Sequence, residues 1–177
     1  MKRPSNLQAV QYCDASYATD PVARRSVSGM IGTLGGMIVS WSSRTQKITT
    51  LSSTESEYIA LGECGQELKF ICMFLQEVGV GEILGIIFED NEGAIFLAKN
   101  SQVGMCTKHI DVKYHIIRDL INNKYLDIMY VKSEDNYADL MTKNIGSETH
   151  ERLFVHGIQQ GVIAIRRENV EWTGKMG

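Results

Sequence analysis

Asp14, Glu57, Asp90 and Asp139 stand where a carboxylate is awkward unless it holds a metal. Glu57 is the most informative of them. Residues Glu55 to Val78 read as a long helix with an apolar stripe through Leu61, Cys64, Leu68, Ile71, Cys72 and Leu75. Glu57 lies on that stripe, in line with Leu61 and Leu68, and Glu55 lies roughly opposite. A charge on the core-facing side of a helix is costly unless it is paired or coordinates an ion. Glu55 has an ordinary job, because Ser52-Ser53-Thr54-Glu55 has the spacing of a capping box in which Glu55 reaches back to the cap. Glu57 is left without one.

Each of the other three has a local competitor. Asp14 ends a first strand, where a turn-forming Asp is common. Asp90 ends a buried strand just before a helix, where an N-cap competes. Asp139 sits in a short helix between Ala138 and Leu140, where a solvated face competes. Taken together they could converge at one end of a sheet. Four hard oxygen donors without His or Cys suit Mg²⁺ or Mn²⁺ better than zinc. Two such ions about 4 Å apart clamp the attacking and leaving oxygens of an in-line phosphoryl displacement. That is nuclease chemistry, and it requires no side-chain nucleophile.

Rival chemistries find less support. There is no G-x-S-x-G, Walker A or G-x-G-x-x-G string, and His109, His115, His150 and His156 form no H-E-x-x-H. Cys13, Cys64, Cys72 and Cys106 show no C-x-x-C spacing, so they read as structural free thiols. Trp41, between Ser40 and Ser42, fits a core position more readily than a stacking platform.

These carboxylates need elements to position them. Leu7 to Cys13 alternates as a first strand. Ala15 to Val27 is a polar loop. A hairpin follows, Met30–Leu34 against Met37–Ser42 around Gly35-Gly36, and Lys47 to Leu51 reads as a further short strand. After the long helix, Ile83 to Phe88 is a continuous apolar run, as in a strand buried on both faces. Helices are expected at Glu92–Lys99, His109–Asn122, Asn136–Lys143 and Glu148–Gln159, with a last strand at Tyr125–Val131. The order, β-β-β-α-β-α-(α)-β-α, predicts an α/β domain with a mixed sheet and helices on its faces. The domain is expected over 8–145, with a helical and charged extension over 146–177.

At 177 residues, 44% of them apolar and 22% charged, the composition is that of an ordinary globular protein. No apolar run suits a membrane span and no signal peptide is evident, so an intracellular protein without membrane contact is expected. The net charge of −3 conceals a gradient: +4 over residues 1–51, −8 over 52–98, +1 over 99–143 and zero beyond. An acidic middle flanked by Arg24, Arg25, Arg44, Lys47 and by Lys108, Lys113, Arg118 could hold cations centrally and phosphates at its margins. A merely solvated surface explains the same charges equally well.

The strings YCDASYATD, RRSVSG, WSSRTQ, LSSTESEYIAL, EDNEGAIFLAKN, TKHIDVKYHIIRDL and YVKSEDNYADLMTK stand in this order along the chain. Jointly they resemble the ribonuclease H domain of copia-type (Pseudoviridae) LTR-retrotransposon Pol polyproteins. The resemblance implies an RNase H-like fold with a five-stranded mixed sheet of order 3-2-1-4-5. It implies hydrolysis of the RNA strand of RNA–DNA hybrids during reverse transcription, by two Mg²⁺ ions (Mn²⁺ serving also) on Asp14, Glu57, Asp90 and Asp139. Its implied partners are the hybrid and the reverse-transcriptase region of the same polyprotein, within a cytoplasmic virus-like particle if the element is active. Arg24, Arg25, Ser42, Arg44, Asn91 and Lys108 are the candidates for nucleic-acid contact.

Two departures stand out. Glu89 replaces the more usual Cys before Asp90, and the loop Lys132–Asn136 lacks the His that cellular enzymes carry for product release. The chain also begins almost at the first strand. A polyprotein fragment, a truncated element copy and a host-adopted domain all fit that start. A catalytically idle binding remnant, or a related nuclease acting on another duplex, remains the alternative function.

Overall fold

A computed structural model describes residues 7–100, 111–144 and 146–153, with only the backbone of 111–115. Five strands form one sheet in the order β3-β2-β1-β4-β5. They are β1 (Ala9–Ser16), β2 (Val27–Leu34), β3 (Met37–Thr45), β4 (Gly85–Glu89) and β5 (Leu126–Tyr130). The first three form an antiparallel meander, whereas β4 runs parallel to both β1 and β5. This is the mixed sheet and strand order expected. The helices are α1 (Ser53–Glu77), α2 (Glu92–Lys99), α3 (Asp111–Asn122), α4 (Asp139–Thr142) and α5 (Ser147–Glu151), with a 3-10 turn at Ser133–Asp135. No helix among the described residues is long and apolar enough to cross a membrane.

The hairpin turn between β2 and β3 is made by Gly35 and Gly36, both at positive φ (57° and 86°), which suits the twist of the flanking strands. The main core lies between α1 and the sheet. Leu61, Cys64, Leu68 and Cys72 meet Ala9, Cys13 and Ile87 there, and Ile117 and Leu120 of α3 close its side. A smaller cluster covers the other face, where Tyr12 stacks on Phe88 at 5.2 Å and meets the edge of Tyr137 at 4.7 Å. Central strand β1 therefore alternates between two covered faces. The thiols of Cys13, Cys64 and Cys72 are free and buried, as expected.

Three expectations about elements need correction. Lys47–Leu51 is not a strand: β3 runs to Thr45 and the chain then leaves the sheet. Buried Gln46 holds that exit, its amide donating to Ser28 Oγ and the Ser56 carbonyl, and buried Thr50 meets Ser26 Oγ at 3.1 Å. The β-branched run 48–50 thus anchors a loop, tertiary bonds overriding local propensity. The helix expected at Asn136–Lys143 is only Asp139–Thr142, because the Asn136 side chain accepts from the Ala138 N–H and so stabilises a turn. Trp41 is not a core residue, being 69% exposed on β3. Of the helix expected at Glu148–Gln159, α5 covers the start, and residues 154–159 lie outside the described residues, as do Cys106, Lys108 and His109.

Candidate metal centre

Parallel strands bring their C-terminal ends to the same edge of a sheet, so β1 and β4 deliver Asp14 and Asp90 to one place. Asp14 lies within β1 rather than at its end, and is 1% exposed. Asp90 follows β4 directly. Its competing role as a helix cap is filled by Asn91, whose side chain accepts from the Ala94 N–H at 3.0 Å. Asp90 is thereby left for other use.

Helix α1 starts as its capping box dictates. The Ser52 hydroxyl accepts from the Glu55 N–H at 3.1 Å, and the Glu55 carboxylate accepts from the Leu51 N–H at 2.6 Å, one residue before the cap. With Glu55 so employed, Glu57 is buried, as are Leu61 and Cys64 of the same stripe, and its carboxylate lies beside those of Glu89 and Asp90 at the sheet edge. The helical phase read from the apolar stripe is thus observed.

Asp139 is brought in by a contact that spans most of the chain. The buried Asn136 amide donates to the Cys13 carbonyl at 2.8 Å and pins the start of α4 beside β1. Gly29, paired with Asp14 across the β1–β2 ladder, leaves room for α4 to approach. A Cβ there would run into Thr142 Cγ2 and lie 3.1 Å from the Ala138 carbonyl.

The result is two triads that share Asp90. Asp14, Asp90 and Asp139 each place a carboxylate oxygen within 4.8 Å of the others, and Glu57, Glu89 and Asp90 do the same. The triads straddle the sheet edge. Asp14 faces α4, where it accepts from the Thr142 hydroxyl and from Lys143 Nζ at 3.2 Å. Glu89 shares the face of Ile87, toward α1.

Their electrostatics differ accordingly. Burial, then the charges of Glu89, Asp14 and Asp90, push Glu57 up to about 10, Lys143 opposing weakly. Burial likewise lifts Glu89 well above the usual carboxylate range, against the hydrogen bond it accepts from the Asn91 N–H. Asp139 is raised by burial although Lys143 Nζ lies 2.6 Å away. Burial opposes the Lys143 ammonium, yet the bond to Asp139 and the charge of Asp14 lift it above its ordinary value.

Clustered carboxylates of this kind repel one another unless a cation lies among them. One oxygen each of Glu57 and Glu89 is buried without a hydrogen-bond partner among the described residues, and the Lys143 ammonium bridges Asp14 and Asp139 where a cation would sit. The residues therefore fit a hard divalent ion held by oxygen ligands. All four carboxylates expected from the sequence are brought together. The sequence reading missed Glu89, Asn136 and Lys143.

The basic candidates are placed unequally. Thr45 pairs with Val27 and Val27 with Ser16, so the start of β2 and the end of β3 lie at the carboxylate edge. Arg44 is exposed there, and Arg24 and Arg25 are exposed in the loop leading into β2. Ser42 lies on β3 opposite Met30, and the Asn91 side chain is occupied as a cap. Arg118 donates to the Leu97 carbonyl and ties α3 to α2. Lys108 lies outside the described residues.

No family model matches the chain. It is 41% identical over 132 residues to the retrovirus-related Pol polyprotein from transposon TNT 1-94 of Nicotiana tabacum, a match covering 75% of this chain and 10% of that protein. It is 36% identical over 144 residues to the corresponding polyprotein from transposon RE2 of Arabidopsis thaliana, covering 81% of this chain and 10% of that one. The chain thus spans about a tenth of the length of these relatives. Among solved structures it is similar to a ribonuclease H1 isolated from compost, with a TM-score of 0.59 at 19% identity over 76% of this chain and 92% of that one. That likeness is one of fold, and it matches the strand order found here. By sequence, the chain belongs to the copia-type retrotransposon Pol polyproteins, in a segment that has the fold of ribonuclease H.

Proposed function

We propose that the chain is a metal-dependent endoribonuclease that hydrolyses the RNA strand of RNA–DNA hybrids during reverse transcription of a copia-type element. The observation that carries this reading is the shared carboxylate: Asp90 belongs to both triads, as a ligand bridging two ions must. Asp14 and Asp139 would hold one Mg²⁺ or Mn²⁺ with Asp90, and Glu57 the other. When bound, the two ions would generate the attacking hydroxide and stabilise the 3′ leaving oxygen.

The chain's own residues would do the rest. Asp14 and Glu57 are fixed on β1 and α1, so the ligand set is preorganised before nucleic acid arrives. Lys143, half-exposed, would yield its place between Asp14 and Asp139 to the incoming ion. Arg24, Arg25 and Arg44 would neutralise backbone phosphates at the same edge, with Ser42, Asn91 and Lys108 as further contacts. The hybrid would be recognised by shape and 2′-hydroxyls rather than by base sequence. In the longer polyprotein, the reverse-transcriptase region would add the phosphate contacts that a chain of net charge −3 supplies sparsely. Residues 8–145 would form the catalytic domain and 146–177 an extension, inside a virus-like particle in the cytoplasm.

The test uses a labelled RNA–DNA hybrid, duplex DNA and duplex RNA, each with Mg²⁺, with Mn²⁺ or with EDTA. Cleavage confined to the RNA of the hybrid is expected, abolished by EDTA and reduced more than about 100-fold by Asp90→Asn. Cutting of duplex DNA, or activity that survives Asp90→Asn, would refute the reading. Binding without cutting under either metal would mark an idle remnant.

A further inference from the structure

Three carboxylates are buried among the described residues: Asp14, Glu57 and Glu89. The four-ligand scheme uses the first two and leaves Glu89, which is 0% exposed, without a role. Alternation along β4 puts Glu89 on the face of Ile87, the face that α1 covers and where Glu57 descends. Its Oε1 accepts from the Asn91 N–H at 3.0 Å, and its Oε2 is buried with no partner among the described residues. Glu57 Oε2 is in the same condition.

A structural role explains only half of this. Accepting one backbone N–H needs a single oxygen, which a neutral side chain would supply without the cost of a buried charge. The second oxygen has no partner among the described residues, yet Glu89, Glu57 and Asp90 bring ligand atoms within 4.8 Å of one another. Lys143 serves Asp14 and Asp139, and no described basic side chain makes an ion pair with Glu57 or Glu89.

We propose that Glu89 is a fifth carboxylate of the centre, giving an oxygen to the cation that Glu57 and Asp90 hold on the α1 side of the sheet. This deepens the functional reading above and rests on it. Charge count tunes the affinity of an oxygen site for a hard cation. With three carboxylates, that ion would bind before nucleic acid contributes a phosphate. Glu89 would thus set the order of assembly as well as the geometry.

The test is Mn²⁺ binding to the nucleic-acid-free protein, followed by electron paramagnetic resonance, for the unaltered chain, Glu89→Gln, Glu89→Cys and Asp90→Asn. Glu89→Gln keeps the shape and the acceptor for Asn91. Glu89→Cys restores the more usual family residue, and a thiol is a poor Mn²⁺ ligand. Both are expected to weaken binding at least about tenfold. Affinity within about twofold of the unaltered protein in both, with Asp90→Asn strongly impaired, would overturn the role of Glu89 alone. Unchanged affinity in Asp90→Asn as well would overturn the metal centre and this inference with it. Should neither Glu89 variant fold, Mg²⁺ titration of the unaltered protein carrying ¹³C-carboxyl glutamate decides. Two buried carboxyl resonances then move together if Glu89 is a ligand, and only one if it is not.

Discussion

The two sides of the sheet edge hold similar charges in opposite conditions. On the α4 side, Asp14 and Asp139 already have a cation in Lys143 and a hydroxyl donor in Thr142. On the α1 side, Glu57 and Glu89 are also buried, but each keeps an oxygen with no hydrogen-bond partner among the described residues. The first arrangement is satisfied within the chain and can wait for its ion. The second is unsatisfied, and burial together with the neighbouring carboxylates favours the neutral, protonated form there. One edge of one sheet thus offers an exchangeable cation place and a demanding one.

The largest effect is expected from Gly29→Ala, which acts on the α4 side only. The added Cβ meets Thr142 Cγ2, Met141 Cβ at 2.9 Å and the Ala138 carbonyl, so α4 must shift away from β2. Overpacking of this kind costs about 1–3 kcal/mol. Thermal unfolding should show that loss, and hybrid cleavage should fall because Asp139 retreats from Asp14. A variant as stable and active as the unaltered chain would show that α4 is not held where the geometry puts it.

How far this division could be read in advance depended on the range of the interactions. Glu57 was legible because a helix repeats its faces every few residues, so Leu61 and Leu68 report where Glu57 points. A mixed sheet was legible from three early strands followed by helical crossovers, whereas its strand order came from the family resemblance. Asp139 was legible by type but not by position: Asn136, which places it, bonds the Cys13 carbonyl 123 residues away in sequence. Glu89 was within reach, since carrying the β alternation one residue past Phe88 puts it on the face of Ile87. The apolar run Ile83 to Phe88 stops one residue short of it, so hydrophobicity alone gives no sign that Glu89 is buried. Lys47–Leu51 misled for the reverse reason, its β-branched residues serving a loop tied down by Gln46 and Thr50.

A smaller effect sharpens the contrast through pH. Glu57, at about 10 in the folded chain against an ordinary 4.5, holds its proton where the unfolded chain has lost it. The folded state therefore binds more protons than the unfolded state above pH 4.5, and stability falls as pH rises through that window. Glu89 is shifted in the same direction. In EDTA the melting temperature should decline between about pH 5 and 8, and Mg²⁺ should reverse the decline by replacing the protons. Glu57→Gln should flatten the slope, since the amide has nothing to ionise. An unchanged slope in that variant would move the source of the pH dependence away from Glu57.

The smallest expected effect concerns Lys143, which decides whether the α4 side is a cation place or a closed ion pair. Its side chain is 39% exposed, so the pair with Asp14 and Asp139 is partly screened and worth at most about 1 kcal/mol. Lys143→Met removes a competing positive charge but keeps most of the aliphatic stem, so unfolding should shift little. If the ammonium merely keeps the place of an ion, Mn²⁺ affinity should rise by up to about fivefold, the equivalent of that energy. If Lys143 instead orients Asp14 and Asp139 for the ion, affinity should fall, and the α4 side would then depend on its neighbours as strictly as the α1 side does. A rise in Mn²⁺ affinity together with slower hybrid cleavage would place the ammonium on the nucleic-acid backbone once the ion has displaced it.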